Sequence, residues 1–123
     1  MSQRILVVDD ELDILHAVAG ILEDEGYEVI ACGSGREALA ALSSLSSLRP
    51  SLVLLDVMMP YMSGYEVLET LKAIPGMDGV PVILMSAVEP REKDTKGARW
   101  KAFLRKPFHL DKLLSTVKDN ALS

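Results

Sequence analysis

Four short apolar runs punctuate the chain, at residues 5–8, 52–55, 82–85 and, more weakly, 102–104, with a shorter fifth candidate at 29–31. They are continuous rather than alternating, as expected of strands buried on both faces of a parallel sheet. Helical stripes lie between them. Leu12, Leu15, Val18, Ala19 and Leu22 repeat at helical spacing and end before Gly26, a natural C-terminal stop. Ala38, Leu39, Leu42 and Leu45 form a second stripe, and Val67, Leu68 and Leu71 a third. Leu110, Leu113, Leu114 and Val117 form the last, opening just after Pro107. This β-α alternation predicts right-handed crossovers and a doubly wound, three-layer α/β domain.

Two stretches are less regular. Residues 43–48 read Ser-Ser-Leu-Ser-Ser-Leu and either extend the second helix or fray into a loop. Residues 89–96 are almost entirely polar and contain Pro90. A fourth helix belongs there, yet no apolar stripe holds it to a sheet, so it is expected to be short or mobile. Pairs Glu89–Lys93 and Glu92–Lys96 would add only about 0.2–0.5 kcal/mol each.

Composition narrows the function. A length of 123 residues fits one domain spanning 1–123, and 49% hydrophobic content supplies a core. The net charge of -5 argues against broad binding to nucleic-acid backbones. Cys32 has no cysteine to pair with, which suits a reducing compartment. No signal-peptide core or membrane-length apolar stretch is present, so a cytoplasmic protein without membrane contact is expected.

In an open parallel sheet, ligands sit beyond the carboxyl ends of the strands. The polar residues that close the apolar runs are Asp9 and Asp10, Asp56, Ser86 and Lys106. Three carboxylates, a hydroxyl and an ammonium are thereby directed to one rim. Crowded carboxylates repel one another, and a divalent cation relieves the repulsion. An oxygen-only donor set favours a hard ion such as Mg²⁺, with Mn²⁺ as an alternative. Asp9 and Asp10 are placed to hold it, and the Met58 carbonyl, two residues beyond Asp56, could add a ligand. Asp56 is then the carboxylate that attacks phosphorus and becomes an aspartyl phosphate. Lys106 would neutralise charge on the transferring group, and Ser86 would hydrogen-bond one of its oxygens.

Taken singly, each residue has a plainer reading. Asp10 could cap the first helix, Ser86 could be a turn residue, and Lys106 a solvated charge. Met58, Met59 and Met62 read as packing residues. His16 and His109 lack partners at metal-ligand spacing and read as surface residues, and Trp100 reads as a packing residue. The joint pattern carries the chemistry.

These residues resemble the receiver domain of response regulators in two-component signalling, over essentially the whole chain. The matching blocks are Ile5-Leu6-Val7-Val8-Asp9-Asp10-Glu11, Leu54-Leu55-Asp56-Val57-Met58-Met59-Pro60 with Gly64, Val82-Ile83-Leu84-Met85-Ser86-Ala87, and Phe103-Leu104-Arg105-Lys106-Pro107-Phe108. The resemblance implies a flavodoxin-like five-stranded sheet of order 2-1-3-4-5 with five helices. It implies that Asp56 is the phosphoacceptor, that Asp9, Asp10, Asp56 and the Met58 carbonyl bind the metal, and that Ser86 and Lys106 are catalytic. Ser86 and Phe103 become the switch pair, and the Lys106-Pro107 bond is expected to be cis. The donor would be a sensor histidine kinase or a histidine phosphotransfer protein. The domain would catalyse its own Mg²⁺-dependent phosphorylation and dephosphorylation without being an ordinary enzyme. It would be a monomer or a phosphorylation-dependent dimer, acting on an output partner that the residues do not name.

Two departures stand out. The interval from Ser86 to Lys106 is slightly short for the family, and the Gly97-Ala98 step comes early. The output surface is therefore expected to be unusual. The main alternative is a receiver-like interaction module that is never phosphorylated. A haloacid-dehalogenase-like phosphatase would place its nucleophile after the first strand. A flavodoxin-type carrier would need a phosphate-cradling loop where Asp9-Asp10-Glu11 stands.

Overall fold

In the computed structural model, which describes residues 3–44 and 49–122, strands and helices alternate along the chain. They are β1 (Arg4–Val8), α1 (Leu12–Asp24), β2 (Glu28–Cys32), α2 (Gly35–Ser44), β3 (Leu52–Asp56), α3 (Gly64–Ala73), β4 (Val82–Ser86), α4 (Glu92–Thr95), β5 (Ala102–Arg105) and α5 (Leu110–Asn120). The sheet is parallel throughout, in the order β2-β1-β3-β4-β5. This is the doubly wound, flavodoxin-like arrangement expected.

The continuous apolar runs take the centre, where both faces are covered. Every residue of β3 and β4 is buried, whereas the edge strands β2 and β5 are partly open. Side chains alternate between two clusters, one on each face. Leu6, Val8, Val53, Leu55 and Leu84 pack with Ala38, Leu42, Val67, Leu68 and Leu71 of α2 and α3. Ile5, Val7, Leu52, Leu54, Ile83 and Leu104 pack with Leu15, Val18, Leu22, Leu113 and Val117 of α1 and α5.

Helix ends follow their local chemistry. Gly26 follows α1 at φ +93°, and its amide donates to the Glu23 carbonyl at 3.0 Å. Ser63 caps α3 in a reciprocal box with Glu66, a device worth about 1 kcal/mol. The Lys106-Pro107 bond is cis, as expected.

Several expectations need correction. Leu12 and Leu110 belong to the helical stripes by spacing, but each opens its helix and is half exposed, since the first turn has no preceding helical turn to cover it. Met58 is 76% exposed and fills no gap, whereas Met59 and Met62 do pack against the core. Asp10 does not cap α1; Glu11 takes that position, without a side-chain cap bond. Leu45 and most of the serine-rich stretch lie outside the described residues.

The fourth helix is short, a single turn of four residues closed by Lys96 in the left-handed region. Its expected pairs are not what is seen there. Glu89 precedes the helix, the Glu92 pairing lies outside the described side chains, and the observed ion pair is Arg91–Asp94 at 3.2 Å. Buried Thr95 and half-buried Ala98 and Trp100 anchor the segment instead, and Trp100 packs as expected. His16 and His109 are exposed.

Gly64 ties α3 to the end of β3. Its amide donates to the Val57 carbonyl at 2.9 Å, and a Cβ built there would stand 2.2 Å from the Asp56 carbonyl oxygen. That is a backbone clash with nothing free to move aside. Gly64→Ala is expected to destabilise the domain by about 2–4 kcal/mol, read as a lowered urea midpoint at unchanged m-value.

Candidate phosphoryl and metal site

Three strands end together at the carboxyl rim, and their last residues become neighbours. Asp9 and Asp10 follow β1, Asp56 closes β3, and Ser86 closes β4. The backbone anchors each of these strand ends. The Asp9 amide donates to the Cys32 carbonyl at 3.1 Å, and the Val57 amide donates to the Met85 carbonyl at 3.0 Å. Lys106 follows β5, and its amide donates to the Ser86 carbonyl at 2.9 Å.

The three carboxylates and the lysine meet, while the Ser86 hydroxyl is engaged by the loop that follows it. Asp9, Asp10 and Asp56 each offer a carboxylate oxygen, all within 4.8 Å of one another. Lys106 Nζ donates to Asp9 Oδ2 at 2.7 Å, lies 3.2 Å from Asp56 Oδ1, and reaches Glu11 Oε1 at 3.5 Å. Asp9 and Asp56 are buried and Asp10 is partly so. Asp9 Oδ1 also accepts from the Glu11 amide at 2.9 Å, which orients the carboxylate toward the cluster. Ser86 is buried, and its Oγ accepts from the Val88 amide at 3.1 Å. Phe103 is half-buried on β5, paired with Leu84 and outside both core clusters.

Electrostatics at the rim are strained. Burial pushes the Asp56 carboxyl up to about 7, with the Asp9 charge and a hydrogen bond with Asp10 adding to the rise and Lys106 opposing it. Burial pulls the Lys106 ammonium down, but its bonds to Asp9 and the charge of Asp56 outweigh that, so its pKa is raised. One ammonium therefore offsets only part of the acidic charge. The donor set suits a hard divalent cation: oxygen only, crowded, and repulsive without one.

Two participants were not legible as such in the sequence. Glu11 shares the Lys106 ammonium, although it stood in the quoted motif with no assigned part. Arg105 lies across the Phe103 ring at 5.5 Å. Their two-residue separation on one strand was the available signal, because such residues share a face.

The fold and this cluster define a flavodoxin-like domain with an acidic, lysine-bridged site at the carboxyl rim of its sheet. The chain belongs to the response regulator receiver domain family, whose sequence model matches residues 5–118. It is 36% identical over 120 residues to the DNA-binding response regulator MtrA of Mycobacterium tuberculosis, covering 96% of this chain and 50% of that one. It is 37% identical over 126 residues to the nitrogen assimilation regulatory protein NtrX of Azorhizobium caulinodans, covering 99% and 26%. The chain thus spans about half the length of MtrA and about a quarter of NtrX. Among solved structures, the chemotaxis protein CheY4 of Vibrio cholerae superposes with a TM-score of 0.88 at 30% identity, covering 98% of this chain and 99% of that one. No described helix is long and apolar enough to cross a membrane.

The raised Asp56 pKa makes stability depend on pH. The folded state holds a proton up to about pH 7, whereas the unfolded chain releases it near 3.8. The contribution is therefore complete below about pH 4 and is lost as pH rises to about 7, by at most about 4 kcal/mol. In metal-free buffer at about pH 8, Asp56→Asn is expected to be more stable than wild type by about 1–4 kcal/mol. The gap should close toward about pH 4, which urea titrations across that range would read.

Proposed function

We propose that this domain accepts a phosphoryl group on Asp56 from a phosphohistidine of a sensor kinase or phosphotransfer protein, and thereby switches a partner-binding surface. The observation that carries the reading is the cluster itself: a buried carboxylate among two others, 3.2 Å from a lysine ammonium. Asp9, Asp10, Asp56 and the Met58 carbonyl would hold Mg²⁺, or Mn²⁺ in its place. When bound, the ion neutralises the carboxylates and the oxygens of the transferring phosphoryl group.

An Asp56 Oδ atom attacks phosphorus in line, the P–N bond to imidazole breaks, and its electron pair leaves with the histidine ring. Deprotonation of Asp56 is required for attack, and Lys106 favours the charged form by attraction. Lys106 then shifts its donors from the aspartates to phosphoryl oxygens, where negative charge has grown. The Ser86 hydroxyl turns from the Val88 amide to another phosphoryl oxygen. Loss of that bond loosens the loop after β4, and Phe103 fills the space vacated. Dephosphorylation reverses the charge change with water as the nucleophile.

The DNA binding named for MtrA stays with that protein, and a net charge of -5 gives this chain no surplus of positive charge for a phosphate backbone. A location in the cytoplasm fits a phosphohistidine donor, and the domain would be a monomer or a phosphorylation-dependent dimer. A receiver-like module that is never phosphorylated would share this fold, and phosphorylation itself separates the two readings.

Incubation with Mg²⁺ and acetyl phosphate is expected to add the mass of one phosphoryl group to the wild-type protein. Asp56→Asn and chelation of the ion should each abolish the gain. Lys106→Ala should slow it by on the order of 10²-fold while leaving the fold intact by circular dichroism. An unchanged wild-type mass, with either acetyl phosphate or a panel of kinases, would favour the unphosphorylated module.

A further inference from the structure

On β5, Phe103 and Arg105 stand two residues apart, so their side chains leave the strand on one face. That face is opposite the one from which Leu104 packs against α1 and α5. The Arg105 guanidinium carbon lies 5.5 Å from the Phe103 ring centroid, within the range of a cation–π contact. The same guanidinium donates through Nη1 to the Ala87 carbonyl at 2.9 Å. Strand register sets Arg105 beside Ser86, whose Oγ receives the Val88 amide at 3.1 Å. A single side chain thus touches both the loop that follows Ser86 and the aromatic ring two residues earlier on its own strand.

We propose that Arg105 is a positioning residue that latches the 86–88 loop and the Phe103 ring in the resting arrangement, so that neither moves without the other. The proposal rests on the reading of Asp56 as phosphoacceptor and Ser86 as its hydroxyl partner. In the resting state, among the described residues, the Val88 amide donates to Ser86 Oγ and Arg105 donates to the Ala87 carbonyl, and these bonds tie the loop. Rotation of Ser86 toward a phosphoryl oxygen removes the first. The loop then shifts, the Arg105 bond breaks, and the guanidinium withdraws from the ring it covered. The latch stabilises the resting state alone, so removing it shifts the equilibrium toward the active arrangement.

The test reads the loop with and without a phosphoryl mimic, using Arg105→Ala and Arg105→Lys. In metal-free, unphosphorylated protein, solvent-exchange NMR on Arg105→Ala should show the Val88 amide exchanging about threefold to tenfold faster, with β1 and β3 amides unchanged. Arg105→Lys keeps a cation and a donor and should lie between alanine and wild type. With Mg²⁺ and beryllofluoride, half-saturation of Arg105→Ala should fall by about threefold or more, since the resting state has been weakened. Loss of one positive charge near the site would by itself act the other way and weaken binding of an anion. Unchanged exchange at Val88, acceleration spread evenly over the sheet, or a raised half-saturation would each overturn the latch. Faster Val88 exchange in a protein whose wild type takes up no beryllofluoride would support the latch while overturning the phosphoacceptor reading.

Discussion

Like charge held close in a dry place is the constraint around which this domain is arranged. Asp9 and Asp56 are buried together with one bridging ammonium, and Asp10 stands beside them. At an effective dielectric of about 20, two carboxylates about 4 Å apart repel by roughly 4 kcal/mol, comparable to a sizeable part of a domain's net stability. Such a cluster persists only because the rest of the fold imposes it. The parallel sheet sets β1 beside β3, so their terminal carboxylates have nowhere else to go. Lys106 offsets part of the repulsion and leaves the site poised to gain from any added cation.

Main-chain bonds tie down the end of β3 next to Asp56. The residue after Asp56 is held by the Met85 carbonyl on one side and the Gly64 amide on the other. Gly64 lets α3 approach the Asp56 carbonyl closer than any side chain would permit.

The region after β4 is built differently. There α4 is a single turn of four residues that packs against α3. Thr95, Ala98 and Trp100 hold the segment that follows, whereas β3 and β4 are buried along their whole length. Ser86 sits at the boundary between the two regimes. Its backbone belongs to a buried strand, and its hydroxyl accepts from the loop amide of Val88.

Much of this was legible in the sequence, and the limits have physical causes. Runs such as 52–55 and 82–85 announce central strands because burial on both faces demands unbroken apolar character. Asp9, Asp10, Asp56, Ser86 and Lys106 were legible as a group because a parallel sheet delivers every strand end to one rim. The exposure of Leu12, Leu110 and Met58 was not, because periodicity gives a side chain's direction along an element but not where its neighbours stop. Glu11 and Arg105 escaped for a related reason. Their partners, Lys106 and the Ala87 carbonyl, are distant in sequence, and a long flexible side chain chooses among several reachable partners only when the surrounding surfaces are in place. The sequence alone therefore determined the alternation of elements and the chemical identity of the rim, since both follow from the order of polar and apolar residues. Tertiary structure decided which rim groups pair, how far each is buried, and where the Asp56 proton is held, because charge interactions depend on distance and solvent access that only the assembled sheet supplies.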